Sequence, residues 1–258
     1  MMKNNFTLKN YTELLQRLGK NHEYITFSEY GNKSANDAII LLRHDLDYSL
    51  KHALKMAILE ADLGIKSTYF FLFSSSFYNI LDEVNIQIAT QIRKLGHEIG
   101  LHYDVGVIEK GNKKAPLSLL HAQANILGNI TDSRILSITM HNPSTAGNDI
   151  FRNANYVNAY EDKFVKGMAY FSDSCMSWRN RFIEHLKLNN FPPKMQLLIH
   201  PIMWSVKELN RWDKLDDLIL ANIKEMKNKG EIIKELWRNH AGVIEHDSRI
   251  LNHQPDLK

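Results

Sequence analysis

Residues 38–49 read AIILLRHDLDYS, and this stretch decides the class of fold. An unbroken apolar run, AIILL, passes into charge at RHD, the pattern of a strand whose two faces are both covered. The period then changes. Leu50, Ala53, Leu54, Ala57, Ile58 and Ala61 recur at helical spacing, with Ser49 placed to cap the helix and Gly64 to stop it. A strand followed at once by an amphipathic helix is one βα unit.

The unit repeats downstream. STYFFLF (67–73) and EIGLH (98–102) read as strands, and each is followed by a helical stretch, Val84 to Leu95 with Gly96 as its stop and Pro116 to Leu127. ILSITMH (135–141), MAYFSD (168–173) and MQLLIH (195–200) supply three further strands. Upstream, NYTELLQRLGK (10–20) predicts a surface helix ending at Gly19, with a short β-like YITF at 24–27. Strands alternating with helices imply an α/β fold with a parallel sheet and helices outside, either a doubly wound sheet or a closed (β/α) barrel. At 258 residues, with no internal repeat and no linker, one barrel of roughly 250 residues is the economical reading. We therefore expect a single domain over 1–258, a barrel core over 38–204 and a helical extension over 205–258. The extension carries a stripe at Leu215, Leu218, Ile219, Ile223 and Met226, expected to pack on the barrel or on a second subunit, which would give a homo-oligomer.

Composition removes several functions. Lys+Arg at 32 against Asp+Glu at 29 gives +3, with the basic residues scattered, so the footprint of a nucleic-acid binder is missing. The single cysteine, Cys175, excludes internal disulfides and cysteine-built metal clusters, so any metal must be held by His and carboxylate. No apolar run reaches the ~18 residues of a membrane span, and MMKNNFTLKN lacks the apolar stretch of a signal peptide. The expected location is the cytoplasm.

The strand candidates share one feature: they run apolar and end in a titratable residue, at Asp45/Asp47, His102, His141, Asp173 and His200. In parallel α/β folds the carboxyl ends of the strands open onto one face, which hosts the active site. Asp45 and Asp47, two apart, share a side if the strand persists, and like charges so close call for a cation; the competing reading is a turn in which Asp47 caps the next helix. His with carboxylate suits zinc, or else cobalt, nickel, iron or manganese, where an all-oxygen set would suit magnesium or calcium. His97, directly after the Gly96 helix stop, reads as structural. Aromatics also stand near these strand ends, at Tyr48, Tyr103, Trp178 and Trp204.

At these residues the sequence resembles the polysaccharide deacetylases of the NodB-homology type, carbohydrate esterase family 4, and most of all the branch found in surface-polysaccharide biosynthesis. The matching pieces are RHDLDYS (43–49), GIKSTYFF (64–71), LGHEIGLHYD (95–104), MHNPS (140–144), YFSDSCMSW (170–178) and LLIHPIMW (197–204). The resemblance implies a distorted (β/α) barrel of about seven strands. It implies that Asp45 is the general base, Asp47 and His102 metal ligands, and His200 the acid that protonates the leaving amine. Asp173 and Trp178 match the motif that lines the pocket and supports the catalytic pair, and with a sugar as substrate Tyr48, Tyr103, Trp178 and Trp204 are candidates to stack on its ring. Two positions depart from the pattern: Gly106 stands where the family has its next metal ligand, and Asn142 precedes Pro143 where the family carries an arginine that tunes the base. For the missing ligand we expect His141, which ends a neighbouring strand on the same face, with Asp104 as the second choice.

The function expected is a metal-dependent hydrolase that removes an N-acetyl group from a surface-polysaccharide precursor, such as a nucleotide- or lipid-linked sugar. Two alternatives remain: hydrolysis of another small amide or formamide at the same metal, and a degenerate barrel that binds glycan or a partner without turnover, for which Gly106 and Asn142 speak. The stretch 144–166 reads as a substrate loop or a polar connection.

Overall fold

The structure is a computed structural model; it describes residues 5–34, 36–105, 114–142, 151 and 155–251, without the side chains of 114–116 and 240–251. Gly106, Pro143 and most of the 144–154 stretch therefore lie outside the described residues. The chain divides into two units, Met1–Lys214 and Leu215–Lys258.

In the first unit the strands are β1 (Glu23–Ile25), β2 (Ile39–Leu46), β3 (Thr68–Leu72), β4 (Glu98–Tyr103), β5 (Ser137–Met140), β6 (Val157–Asn158), β7 (Ala169–Ser172) and β8 (Lys194–Ile199). Every pairing is parallel. Seven strands follow one path, β6-β5-β4-β3-β2-β8-β7, and curl into a half-barrel with helices around it; β1 pairs with the first half of β2, ahead of the part that pairs with β3. The helices are α1 (Leu8–Leu18), α2 (Leu50–Asp62), α3 (Glu83–Lys94), α4 (Lys114–Thr131), α5 (Asp162–Val165) and α6 (Phe182–Leu188). A further helix, α7 (Arg211–Leu251), starts in this unit and makes up most of the second, where Leu220, Met226 and Trp237 are exposed.

The local signals act as the chemistry requires. Ser49 caps α2 by accepting from the His52 N–H, Asp82 caps α3, and Gly64 and Gly96 follow their helices at φ +69 and +94, where a side chain would be strained. Capping by Ser49 leaves Asp47 out of that role. Gly100 serves packing: a β-carbon on β4 at this point would collide with the Phe70 ring. The short β6 escaped the sequence reading because two residues carry no period; its backbone is held by Ser137–Ile138 of β5.

Alternation along β2 sorts the interior. Ile39 and Leu41 join Ile25, Phe27, Phe70, Phe164 and Met168 inside the curl, whereas Ile40 and Leu42 face the outer layer with Leu14, Leu15 and Met56. Each large apolar side chain so buried contributes about 1.5–3 kcal/mol relative to exposure. The same two-residue period carries Arg43 and Asp45 to the inner face and His44 to the outer, where its Nε2 meets Glu60 of α2 at 2.8 Å. Glu60 is fully buried and also accepts from Tyr11, Ser67 and Tyr69 at 2.6, 2.6 and 3.0 Å. His97 joins this layer, bonded to Ala57 O at 2.9 Å and to Ser67 Oγ at 3.0 Å.

Candidate active site

Three strand ends meet at Asp47. It follows β2, His102 lies on β4, and His141 follows β5, which pairs with β4 through Thr139 opposite His102. Asp47 Oδ1 is 3.2 Å from His102 Nε2 and 3.3 Å from His141 Nδ1, and the two ring nitrogens are 3.2 Å apart. Nitrogen and oxygen donors about 2.0–2.2 Å from a tetrahedral ion stand about 3.3–3.6 Å from one another, so this near-equilateral triangle has the size of a tridentate metal site. Its chemistry also fits. Asp47 Oδ1 is buried with no well-aligned hydrogen bond, having only the two imidazole nitrogens beside it, a cost that an ion would remove. His102 donates from Nδ1 to Thr139 O at 3.1 Å, which turns the lone pair of Nε2 into the triangle. Burial alone would raise the Asp47 carboxyl, yet the adjoining imidazoles of His102 and His141 hold it below the usual carboxylate range. Asp104 is not one of the three; it accepts from Ser74 Oγ at 3.1 Å.

Asp45 lies beside the triangle, its Oδ2 3.7 Å from His102 Nε2. Its partner is Arg43, which sequence reading did not single out. Nε and an Nη of Arg43 donate to the two carboxylate oxygens at 2.8 and 2.7 Å, and the guanidinium also bonds Gln196 Oε1 at 2.9 Å and Tyr160 OH at 3.2 Å. Burial pushes the Asp45 carboxyl up, but Arg43 and then His102 outweigh it and keep the group ionised. The signal that could have found Arg43 is in the first stretch quoted: a charge at the end of an apolar strand, two residues before Asp45 and therefore on the same face.

His200 closes the far side, with Nε2 4.0 Å from Asp47 Oδ2. Asp173, fully buried, accepts from His200 Nδ1 at 2.7 Å, from the His200 backbone N–H at 3.1 Å and from Trp204 Nε1 at 2.8 Å. Burial favours neutral imidazole, yet the Asp173 carboxylate prevails and the His200 pKa is pushed up to about 9.

The aromatic expectations need correction. Tyr103 is 1% exposed, packed edge-on to Phe151 in the core, and its OH accepts from Asn158. Trp204 is 3% exposed and spends its indole N–H on Asp173. A ring without an open face cannot stack on a sugar, so both belong to the framework. Trp178 is half-buried, stacked on Phe182 at 4.0 Å and on Phe6 at 5.8 Å. Tyr48, directly after Asp47, is also half-buried, edge-on to Phe77 at 5.0 Å.

No protein-family model and no curated protein matches the sequence. Among solved structures, proteins described as carbohydrate esterase family 4 members or as deacetylases are similar at low identity. One is a pseudoenzyme of that family from Bacillus anthracis: 13% identical, TM-score 0.44, 74% of this chain covered. The chain spans less than two thirds of that protein, 63% of its length. Another is a mutant peptidoglycan deacetylase of Bacillus subtilis, 15% identical over 80% of this chain and 99% of that one, TM-score 0.44. A third is a family 4 carbohydrate esterase from Bacillus anthracis, 15% identical over 89% of this chain and 93% of that one, TM-score 0.43. Among the described residues no helix is long and apolar enough to cross a membrane.

Proposed function

We propose that this chain is a metal-dependent amide hydrolase that removes the acetyl group from an N-acetylated sugar. The observation that carries the reading is the convergence of Asp47, His102 and His141 beside Asp45, paired with Arg43, and His200, paired with Asp173. Environments that push two titratable groups in opposite directions assign base and acid. A divalent ion held by Asp47, His102 and His141, zinc being the natural fit to that donor set, would polarise the acyl carbonyl and make a water acidic near neutral pH.

The remaining work falls to side chains. Asp45, fixed by Arg43 so that its carboxylate cannot turn, takes the proton of the attacking water. Nitrogen leaves an amide poorly unless protonated, and His200, held by Asp173 in its charged form, supplies that proton from Nε2. Half-exposed Tyr48, met only edge-on by Phe77, is the better candidate to bound the sugar, with the exposed edge of Trp178 second. The substrate class, a nucleotide- or lipid-linked precursor of a surface polysaccharide handled in the cytoplasm, is supported by the sequence resemblance at RHDLDYS, LGHEIGLHYD and LLIHPIMW.

The test is acetate release by the full chain, purified without chelator, from free, nucleotide-linked and lipid-linked N-acetylhexosamines, before and after removal of metal. Release that stops on chelation and returns with zinc or cobalt is expected. Stoichiometric metal with no acetate from any substrate would sink the reading.

A further inference from the structure

The residue after His141 touches the ring nitrogen that the triangle leaves over. The Asn142 carboxamide lies 2.8 Å from His141 Nε2, on the far side of the ring from the triangle. Asn142 has φ +47, a left-handed conformation that asparagine tolerates better than most residues.

The side-chain nitrogen of Asn142 faces Nε2; in that orientation, with a neutral ring, Nε2 accepts and the ring proton sits on Nδ1. From there the proton lies between Asp47 Oδ1 at 3.3 Å and the His102 Nε2 lone pair at 3.2 Å, an arrangement consistent without an ion. Metal binding at Nδ1 demands the other tautomer, with the proton on Nε2 and an acceptor beside it. A carboxamide offers either: half a turn about its last bond exchanges donor for acceptor in the same volume. We propose that Asn142 is the positioning residue for His141, turning its carboxamide oxygen to Nε2–H so that Nδ1 completes the metal site. This inference deepens the proposed function and rests on its metal site.

Zinc titration of the full chain tests it, with Asn142→Gly and Asn142→Asp beside the parent. Glycine removes the amide while accepting the left-handed backbone; aspartate keeps an acceptor and nothing else. Asn142→Asp is expected to hold zinc at least as tightly as the parent, and Asn142→Gly about 10–100-fold more weakly, the usual effect of removing a ligand's orienting partner. In the zinc-loaded parent, imidazole nitrogen NMR is expected to show the His141 proton on Nε2. Undiminished affinity in Asn142→Gly, or zinc bound to His141 through Nε2, overturns the inference while leaving the metal site standing. No zinc binding by the parent is the distinct result that removes both.

Discussion

Arg43→Met takes a guanidinium out of a place where water does not reach: Arg43 is 0% and Asp45 5% exposed. The change deletes two charge-assisted bonds to Asp45 and the donors to Gln196 Oε1 and Tyr160 OH, and strands a buried carboxylate. Breaking a buried pair from one side costs about 3–5 kcal/mol, because the charge left behind has lost its compensation. For a protein of this size that is a fall in melting temperature of about 6–20 °C. Removing both charges differs in kind, since neutral groups of similar shape are tolerated far better. The double variant Arg43→Met/Asp45→Asn is therefore expected to recover about 2 kcal/mol or more of the loss, even though it carries one change more. Urea denaturation followed by tryptophan fluorescence measures all corners of the cycle. A loss below about 1 kcal/mol in Arg43→Met, or a double variant no more stable than the single one, would refute the claim that Arg43 holds Asp45 as a charged partner.

The two aspartates should separate by metal content: Asp47→Ala empties the site, whereas Asp45→Asn keeps its metal and loses turnover, and equal metal loss would cancel the assignment. His200→Ala should cut kcat on an amide far more than on an activated ester, whose leaving group needs no proton; equal losses would make His200 a structural residue. Glu60 predicts acid sensitivity. Burial raises its carboxyl, but His44 and then His97 and Ser67 more than compensate, so the folded value lies below the ordinary one. Its contribution is present above the ordinary carboxylate range and is lost as pH falls through the folded value. Unfolding midpoints measured from pH 7 down to pH 3 should therefore drop less steeply in Glu60→Gln than in the parent, and parallel curves would contradict this.

The local order of this chain was written in its sequence. The apolar run before RHD, the helical spacing after Ser49 and the glycines at 64 and 96 determine strands and helices by side-chain period and backbone sterics alone, which act over a few residues. The alternation of such units implied a parallel sheet, and hence that residues at strand ends gather on one face. Distances on that face were beyond the sequence. The neighbouring of β4 and β5 puts His141 within 3.2 Å of His102, and no count of intervening residues contains that number. Likewise, Tyr103 and Trp204 resemble sugar platforms when read along the chain, but Tyr103 is packed against Phe151 and Trp204 against Phe6 and Tyr11, which leaves both rings buried. Arg43 lay in plain view at the right spacing, yet its role depended on Gln196 from β8 and Tyr160 beyond β6 arriving around the same guanidinium. Period is a local property and chose the elements; partnership among buried charges is a property of three-dimensional neighbours, so only the folded chain decided which polar groups became the site.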